Sequence, residues 1–112
     1  MFLIAAKYLI PKGYRGLAVF PFVFVKQALD KKNEVFVNHE RIHLRQQLEL
    51  LIIPFFIWYF LEFLVRFIQY KNWNLAYRNI CFEREAYAKE KDLSYLKQRS
   101  FWSFLFHINL PL

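Results

Sequence analysis

The most chemically informative stretch of the chain is His39-Glu40-Arg41-Ile42-His43, which has the form H-E-x-x-H. On an α-helix, residues i and i+4 lie on one face, so His39 and His43 can present their imidazoles to a single metal ion. Glu40 lies about 100° further round the helix, where its carboxylate can take a proton from a water bound to the metal. Two histidine ligands with a neighbouring general base are the arrangement found in zinc metallopeptidases. The motif therefore predicts a zinc-dependent, peptidase-like site.

Two histidines leave a catalytic zinc one protein ligand short, because such sites use three protein groups and keep a fourth position open. Several residues after the motif can supply the missing ligand: Glu62, Glu83, Glu85, Glu90, Asp92 and His107. Glu83 and Glu85 would lie about 200° apart on a helix, so both cannot face the metal. The residue types alone leave the choice open.

The order of these features resembles the integral-membrane gluzincins, among them the β-lactam-sensing signal-transducer peptidases. The resemblance covers roughly residues 17–90 and rests on three features of the sequence. A basic residue and a Gln follow the motif in His43-Leu44-Arg45-Gln46, and an apolar segment rich in Pro and aromatic residues follows at 50–68. The E-x-x-A-D sequence of the family then falls on Glu83-Arg84-Glu85-Ala86-Tyr87. The segment Phe20-Pro21-Phe22-Val23-Phe24 is also similar to the one that precedes the motif in that family.

The resemblance implies that His39, His43 and Glu83 hold one zinc ion, with Glu85 as the fallback third ligand. It also implies hydrolysis of peptide bonds in a peptide or protein substrate, with Glu40 as general base. The location it implies is the bacterial inner membrane, with the site toward the cytoplasm. Tyr87 stands where the family has an Asp that orients a ligand histidine. A Tyr hydroxyl there would orient the histidine from farther away or stabilise an oxyanion in the site.

Composition favours contact with a membrane. Of the 112 residues, 57% are apolar and 21% are aromatic, whereas soluble domains are roughly 45–50% apolar. A short chain has too little interior for so much apolar surface, so part of it should face lipid or a partner chain. The net charge of +7 would suit anionic lipid or nucleic acid. Because no nucleic-acid-binding motif accompanies it, we expect membrane lipid, with a membrane protein as a further possible partner.

The pattern predicts a mainly α-helical single domain, 1–112, with a short β-hairpin or extended segment at the N-terminus. Residues 17–26 are β-branched and aromatic, which is typical of a strand, but Pro21 restricts it to a sheet edge or breaks it in two. Residues 34–37 are a second extended candidate, or already part of the motif helix. Asn38 could cap a helix beginning at His39.

The rest of the chain predicts two further helices. Residues 50–68 are apolar enough for a transmembrane helix, interrupted by Glu62 and Arg66, which are spaced to pair. A third helix is predicted over residues 75–98. If Glu83 is to reach the two histidines, 50–68 should not be one straight spanning helix, and Pro54 is the expected break. Re-entrant, half-inserted or surface-lying arrangements of this segment then fit better.

Three function classes remain open. The first is a membrane-associated zinc peptidase. The second is a non-catalytic membrane protein with a structural metal clasp or a degenerate peptidase site. The third is a small helical partner of another membrane protein. A structural site gains nothing from a general base beside the metal, so Glu40 favours the enzyme.

Overall fold

The chain begins with a small three-stranded sheet. A computed structural model describes residues 1–108, and the last four residues of the predicted domain 1–112 lie outside the described part. Strands β1 (Phe2–Ala5), β2 (Gly16–Val19) and β3 (Phe22–Val25) pair in the order β1-β3-β2. β3 runs antiparallel to β2 and parallel to β1. Pro21 lies between β2 and β3, so the predicted strand over 17–26 is broken in two at the residue that cannot donate a backbone hydrogen bond.

The motif helix α1 spans Glu34–Glu49 and follows a 3-10 helix, Ala28–Lys32. Its N-cap is Asn33, whose side chain accepts a hydrogen bond from the backbone N–H of Phe36. The prediction of an extended segment at 34–37 is therefore wrong, and the alternative that these residues belong to the helix is correct. Asn38 is not the cap: it is buried inside α1, and its amide donates to the carbonyls of residues 89, 90 and 92.

The apolar segment forms one continuous helix, α2, over Ile53–Tyr70, with Pro54 in its first turn. The break from α1 lies just before the proline, where Leu51 and Ile52 have φ of 62° and 67°. A helix continuing through this point would need an N–H that Pro54 lacks, and the proline ring would clash with the preceding turn. The expected break is therefore at the expected place, and α2 beyond it is uninterrupted.

The predicted third helix over 75–98 is wrong in its continuity, because three helices occupy that range. They are α3 (Trp73–Arg78), α4 (Cys81–Lys89) and α5 (Tyr95–Gln98). Asn79 ends α3 by donating its side-chain amide to the carbonyl of Leu75, which competes with helix continuation. Asp92 forms the turn between α4 and α5 by accepting a hydrogen bond from the backbone N–H of Ser94, a turn typical of Asp.

The start of α4 is fixed by a residue from another helix. The Glu62 carboxylate on α2 accepts the backbone N–H of Cys81 at 3.0 Å and pairs with Arg66 at 3.2 Å. The predicted pairing of Glu62 and Arg66 is confirmed. A negative charge at a helix N-terminus satisfies a free N–H and complements the helix dipole. The described chain ends with a 3-10 helix, Ser103–His107.

The sheet and the helices pack so that α1 lies between β2 and α4. Gln47 on α1 accepts from the N–H of Phe20 and donates to the carbonyl of Ala18, both at 2.7 Å, and so fixes the hairpin against the helix. On the other side, Ala86 of α4 packs against Ile42 of α1, and both are fully buried. The mainly helical fold with a small N-terminal sheet is confirmed, and α1, α2 and α4 pack together as predicted.

Candidate metal centre

Three side-chain atoms converge at the interface of α1 and α4. The Nε2 atoms of His39 and His43 lie 3.2 Å apart, and Oε1 of Glu83 lies 3.2 Å from the first and 3.1 Å from the second. All three side chains are buried. Their spacing follows from local structure, because the i, i+4 histidines share one face of α1 and Ala86 allows α4 to approach it closely. These three residues can hold a metal ion.

The spacing of the three atoms fits a small divalent cation. Tetrahedral zinc binds His nitrogen and carboxylate oxygen at about 2.0–2.1 Å, which separates neighbouring ligand atoms by roughly 3.3 Å. The separations observed here are 3.1 Å and 3.2 Å. One carboxylate and two imidazoles are also a common donor set for zinc and other first-row metals. The distances and the donor set are therefore compatible with a metal ion held by all three residues.

The outer nitrogens of both histidines are held by acceptors. Nδ1 of His39 lies 3.2 Å from Oε1 of Glu90, and Nδ1 of His43 lies 2.8 Å from Oε1 of Gln46. An acceptor at Nδ1 assigns the proton to that nitrogen and leaves the Nε2 lone pair free. When both rings are neutral, both Nε2 atoms therefore face the Glu83 carboxylate as acceptors. Three acceptor atoms at van der Waals contact require a cation or a shared proton between them.

The orientation of Gln46 is itself fixed by a buried ionic network. The amide nitrogen donates to the carbonyl of Phe82 at 3.1 Å and to Oε1 of Glu85 at 2.9 Å, so the amide oxygen must face His43. Glu85 is fully buried and forms an ion pair with Arg99, which also pairs with Glu49. Glu85 thus lies outside the cluster, and Glu83 is the carboxylate that lies beside the two histidines.

The second oxygen of the Glu83 carboxylate is held by α2. Tyr59 donates its hydroxyl to Oε2 of Glu83 at 2.7 Å. Burial alone would raise the pKa of Glu83, but the charges of His43 and His39 and their hydrogen bonds outweigh burial and hold it well below its usual range. For His43, burial would lower the pKa, yet the Glu83 carboxylate raises it to about 9. Glu83 is therefore charged, as a ligand to a cation requires.

Glu40 lies at the bottom of a cleft of about 620 Å³ that opens beside the cluster. Burial raises the pKa of its carboxyl group, although His43 and His39 act in the opposite direction. One wall of the cleft comes from the loop before β2, including Tyr14 and Arg15, and the other from α3, including Trp73 and Arg78. Trp73 donates its indole N–H to the Tyr14 hydroxyl at 2.6 Å and joins the two walls. The cleft therefore reaches Glu40 and His39, whereas His43 and Glu83 are not among its lining residues.

Tyr87 lies on the rim of this cleft, with its ring edge-on to the His39 ring at a centroid distance of 4.5 Å. The resemblance implies that the residue at this position orients a ligand histidine through a hydrogen bond. In the structure, Glu90 makes that hydrogen bond to His39. Glu90 lies seven residues after Glu83, two helical turns along the same face. Tyr87 contacts His39 through its ring, and its contribution to an oxyanion site stays a prediction.

The remaining sequence-predicted ligands lie elsewhere. Glu62 caps α4, and Asp92 forms the turn before α5. His107 lies in the final 3-10 helix, where burial lowers its pKa. Three residues that complete the site, Gln46, Tyr59 and Glu90, were missed in these roles. For Glu90, the spacing of seven residues from Glu83 was an available signal.

Compared with known proteins, the chain matches no family model, no curated protein and no solved structure.

Proposed function

We propose that the protein is a membrane-associated, zinc-dependent metallopeptidase. The observation that carries the proposal is the position of Glu40. It lies on the floor of an open cleft, one residue from a buried His39–His43–Glu83 cluster whose atoms are spaced for a metal. A purely structural metal site has no use for a carboxylate beside it or for access from solvent. A divalent cation held by the three residues would supply a Lewis acid and a water of lowered pKa.

The residues of the chain have separate tasks in this proposal. His39, His43 and Glu83 hold the cation, while Glu90, Gln46 and Tyr59 fix the orientation of those three side chains. Glu40 takes a proton from water at the cleft floor and returns it to the leaving amine. The two walls of the cleft hold the substrate on either side of Glu40 and shield it from bulk solvent.

Membrane association is proposed from the outward face of α2. Its two charged residues, Glu62 and Arg66, point into the protein and pair there. Apart from Gln69 near its C-terminal end, the exposed side chains of the helix are apolar, and the large ones are Ile53, Ile57, Phe60, Leu61, Leu64, Val65, Phe67 and Ile68. We call these eight residues the outer face of α2. The helix is about 27 Å long, close to the roughly 30 Å hydrocarbon core of a bilayer, and by length and composition it could cross one.

The experiment that tests the metal centre is elemental analysis of protein purified in mild detergent. We expect one zinc per chain in the wild type and in Glu40→Gln, and loss of zinc in Glu83→Ala. Incubation with a mixture of synthetic peptides, followed by mass spectrometry, then tests catalysis. Cleavage by the wild type that disappears in Glu40→Gln supports the peptidase.

Two results would contradict different parts of the proposal, the first the metal centre and the second the catalytic activity. Wild-type protein that takes up no zinc when zinc is supplied would rule out the metal centre. Zinc bound through Glu83, with no cleavage of any peptide in the mixture, would instead favour a non-catalytic metal site.

A further inference from the structure

Two arginines flank the cleft, each stacked on an aromatic ring that lies one helical turn from a functional glutamate. The Arg15 guanidinium lies 4.6 Å from the centre of the Phe36 ring, four residues before Glu40 on α1. The Arg78 guanidinium lies 4.0 Å from the centre of the Tyr87 ring, four residues after Glu83 on α4. Stacking on an aromatic face restrains a flexible side chain and holds its charge in place.

The two arginines differ in their partners. Arg15 forms an ion pair with Asp30 at 2.9 Å. Arg78 is exposed at the cleft and, within residues 1–108, forms no ion pair with a carboxylate. Of the two acidic residues that line the same cleft, Glu90 contacts His39, and neither Glu40 nor Glu90 forms an ion pair with Arg78. Arg78 is therefore a positioned cation whose hydrogen-bonding groups are available to a molecule in the cleft.

We infer that Arg78 binds a carboxylate of the substrate and makes the cleft selective for peptides that carry a negative charge close to the scissile bond. The inference rests on the proposed function, because it names the substrate class of the same cleft. The guanidinium fork matches a carboxylate with two parallel hydrogen bonds, which gives orientation as well as affinity.

Distance limits where this carboxylate lies in the peptide. The Tyr87 ring is 4.0 Å from the Arg78 guanidinium and 4.5 Å from the His39 ring, so Arg78 is at most about 8.5 Å from the His39 ring centre. An extended peptide advances about 3.3–3.6 Å per residue. The carboxylate therefore belongs to a residue within about two positions of the bond at the metal centre. It is either the C-terminal carboxylate or the side chain of an Asp or Glu.

Binding can be measured without catalysis. Glu40→Gln protein is immobilised and incubated at physiological salt with three hexapeptide pools. The first pool is neutral and amidated, the second is amidated with one Glu at varied positions, and the third has a free C-terminal carboxylate and no acidic side chain. We expect at least one of the two acidic pools to be retained about tenfold more than the neutral pool, the effect of a charge-assisted hydrogen bond. Whichever acidic pool is retained identifies the source of the carboxylate.

The matched control separates Arg78 from the general positive charge of the protein. Arg78→Ala in the Glu40→Gln background should reduce the preference to less than twofold. Arg41→Ala removes the same charge from an exposed position on the site helix, outside the cleft, and should retain it. Thermal unfolding of both variants checks that they are folded.

Three outcomes would overturn the inference: equal retention of the three pools, a preference that survives Arg78→Ala, or no retention of any pool. These outcomes are independent of the peptidase proposal. A charge preference that depends on Arg78, without any cleavage by the wild type, would leave the binding site standing and reject the enzyme. Cleavage of neutral and acidic peptides by the wild type at equal rates would support the enzyme and reject the selectivity assigned to Arg78.

Discussion

Oε1 of Glu90 lies 3.2 Å from Nδ1 of His39, while Oε1 of Glu83 lies 3.2 Å from Nε2 of the same ring. Both carboxylates come from the α4 region, and two helical turns separate them, so the His39 ring is held between them. Hydrogen-bond partners of this kind fix the tautomer and the orientation of a ligand histidine, and raise its basicity. Glu90 makes this contact with His39, and its spacing of seven residues from Glu83 is the sequence signal for it.

Replacement of Glu90 should weaken metal binding without removing a ligand. We expect Glu90→Ala to lower zinc affinity about 10–100-fold, the usual cost of losing such a partner. Tyr87→Phe removes only a hydroxyl that does not bond to His39 and should stay within about threefold of the wild type. Competition with a chelating dye measures both affinities. A larger effect of Tyr87→Phe than of Glu90→Ala would assign the orienting role to Tyr87 after all.

The buried network behind His43 should be important for stability. Arg99 is the cation shared by Glu85 and Glu49, and its side chain is fully buried. Arg99→Met would leave two carboxylates buried without a counter-ion, so we expect a loss of about 3–5 kcal/mol in the free energy of unfolding. Denaturant unfolding in detergent measures this loss.

Two further variants test the cause of that loss. Lys97→Met, an exposed residue on α5, should change the free energy of unfolding by less than about 0.5 kcal/mol. Adding Glu85→Gln to Arg99→Met should recover part of the loss, because one of the uncompensated charges is removed. If Arg99→Met is as stable as Lys97→Met, the network contributes nothing to stability.

Zinc binding should release a proton and become weaker as the pH falls. In the metal-free site the Glu83 carboxylate raises the pKa of His43 to about 9, although burial opposes the shift, so the imidazole is protonated at pH 7. Zinc binds only the neutral ring and must displace that proton. Below about pH 9 each unit of pH should therefore cost up to about tenfold in apparent affinity.

Calorimetric titration at pH 7 in two buffers with different ionisation enthalpies measures the proton release. We expect about one proton per zinc, and neither binding nor release in Glu83→Ala. An identical heat of binding in both buffers would mean that no proton leaves and that His43 is neutral before the metal binds.

A charge on the outer face of α2 should disrupt membrane binding. Leu64 lies near the middle of that face, and Leu64→Asp should reduce flotation with vesicles of phosphatidylcholine and phosphatidylglycerol about tenfold or more, because a carboxylate in the hydrocarbon region costs about 3 kcal/mol. Leu93 is an exposed leucine in the loop before α5, and Leu93→Asp should leave flotation unchanged. Equal flotation of Leu64→Asp and the wild type would exclude the outer face of α2 as the lipid contact.

Local pattern was sufficient for the parts of the site that lie within one helix. The i, i+4 histidines, the break before Pro54 and the Glu62–Arg66 pair each depend on neighbours in sequence. Glu83 was reached through the resemblance and not through spacing alone. Helix ends that depend on contacts with a distant part of the chain could not be predicted from local pattern. Helix α4 begins at Cys81 because a carboxylate from α2, 19 residues earlier, accepts the Cys81 N–H.

The supporting residues of the site were missed for the same reason. Gln46 is a common helix former, and its role appears only when Phe82 and Glu85 lie opposite its amide. The start of α1 was left open between about residue 35 and His39, because valines and a phenylalanine at 35–37 are typical of strands, whereas the Asn33 cap decides the helix boundary.

Tyr59 connects helix α2 directly to the candidate metal centre. Its hydroxyl bonds to the Glu83 carboxylate from the inner side of α2, while the residues next to it on the outer side are exposed apolar groups. Rotation or tilt of α2 would therefore move a group that orients a residue of the proposed metal site. In the proposed membrane-associated protein, the surrounding lipid or detergent would then be an experimental variable of the proposed metal centre, and metal affinities measured in different amphiphiles would be comparable only when the position of α2 is the same.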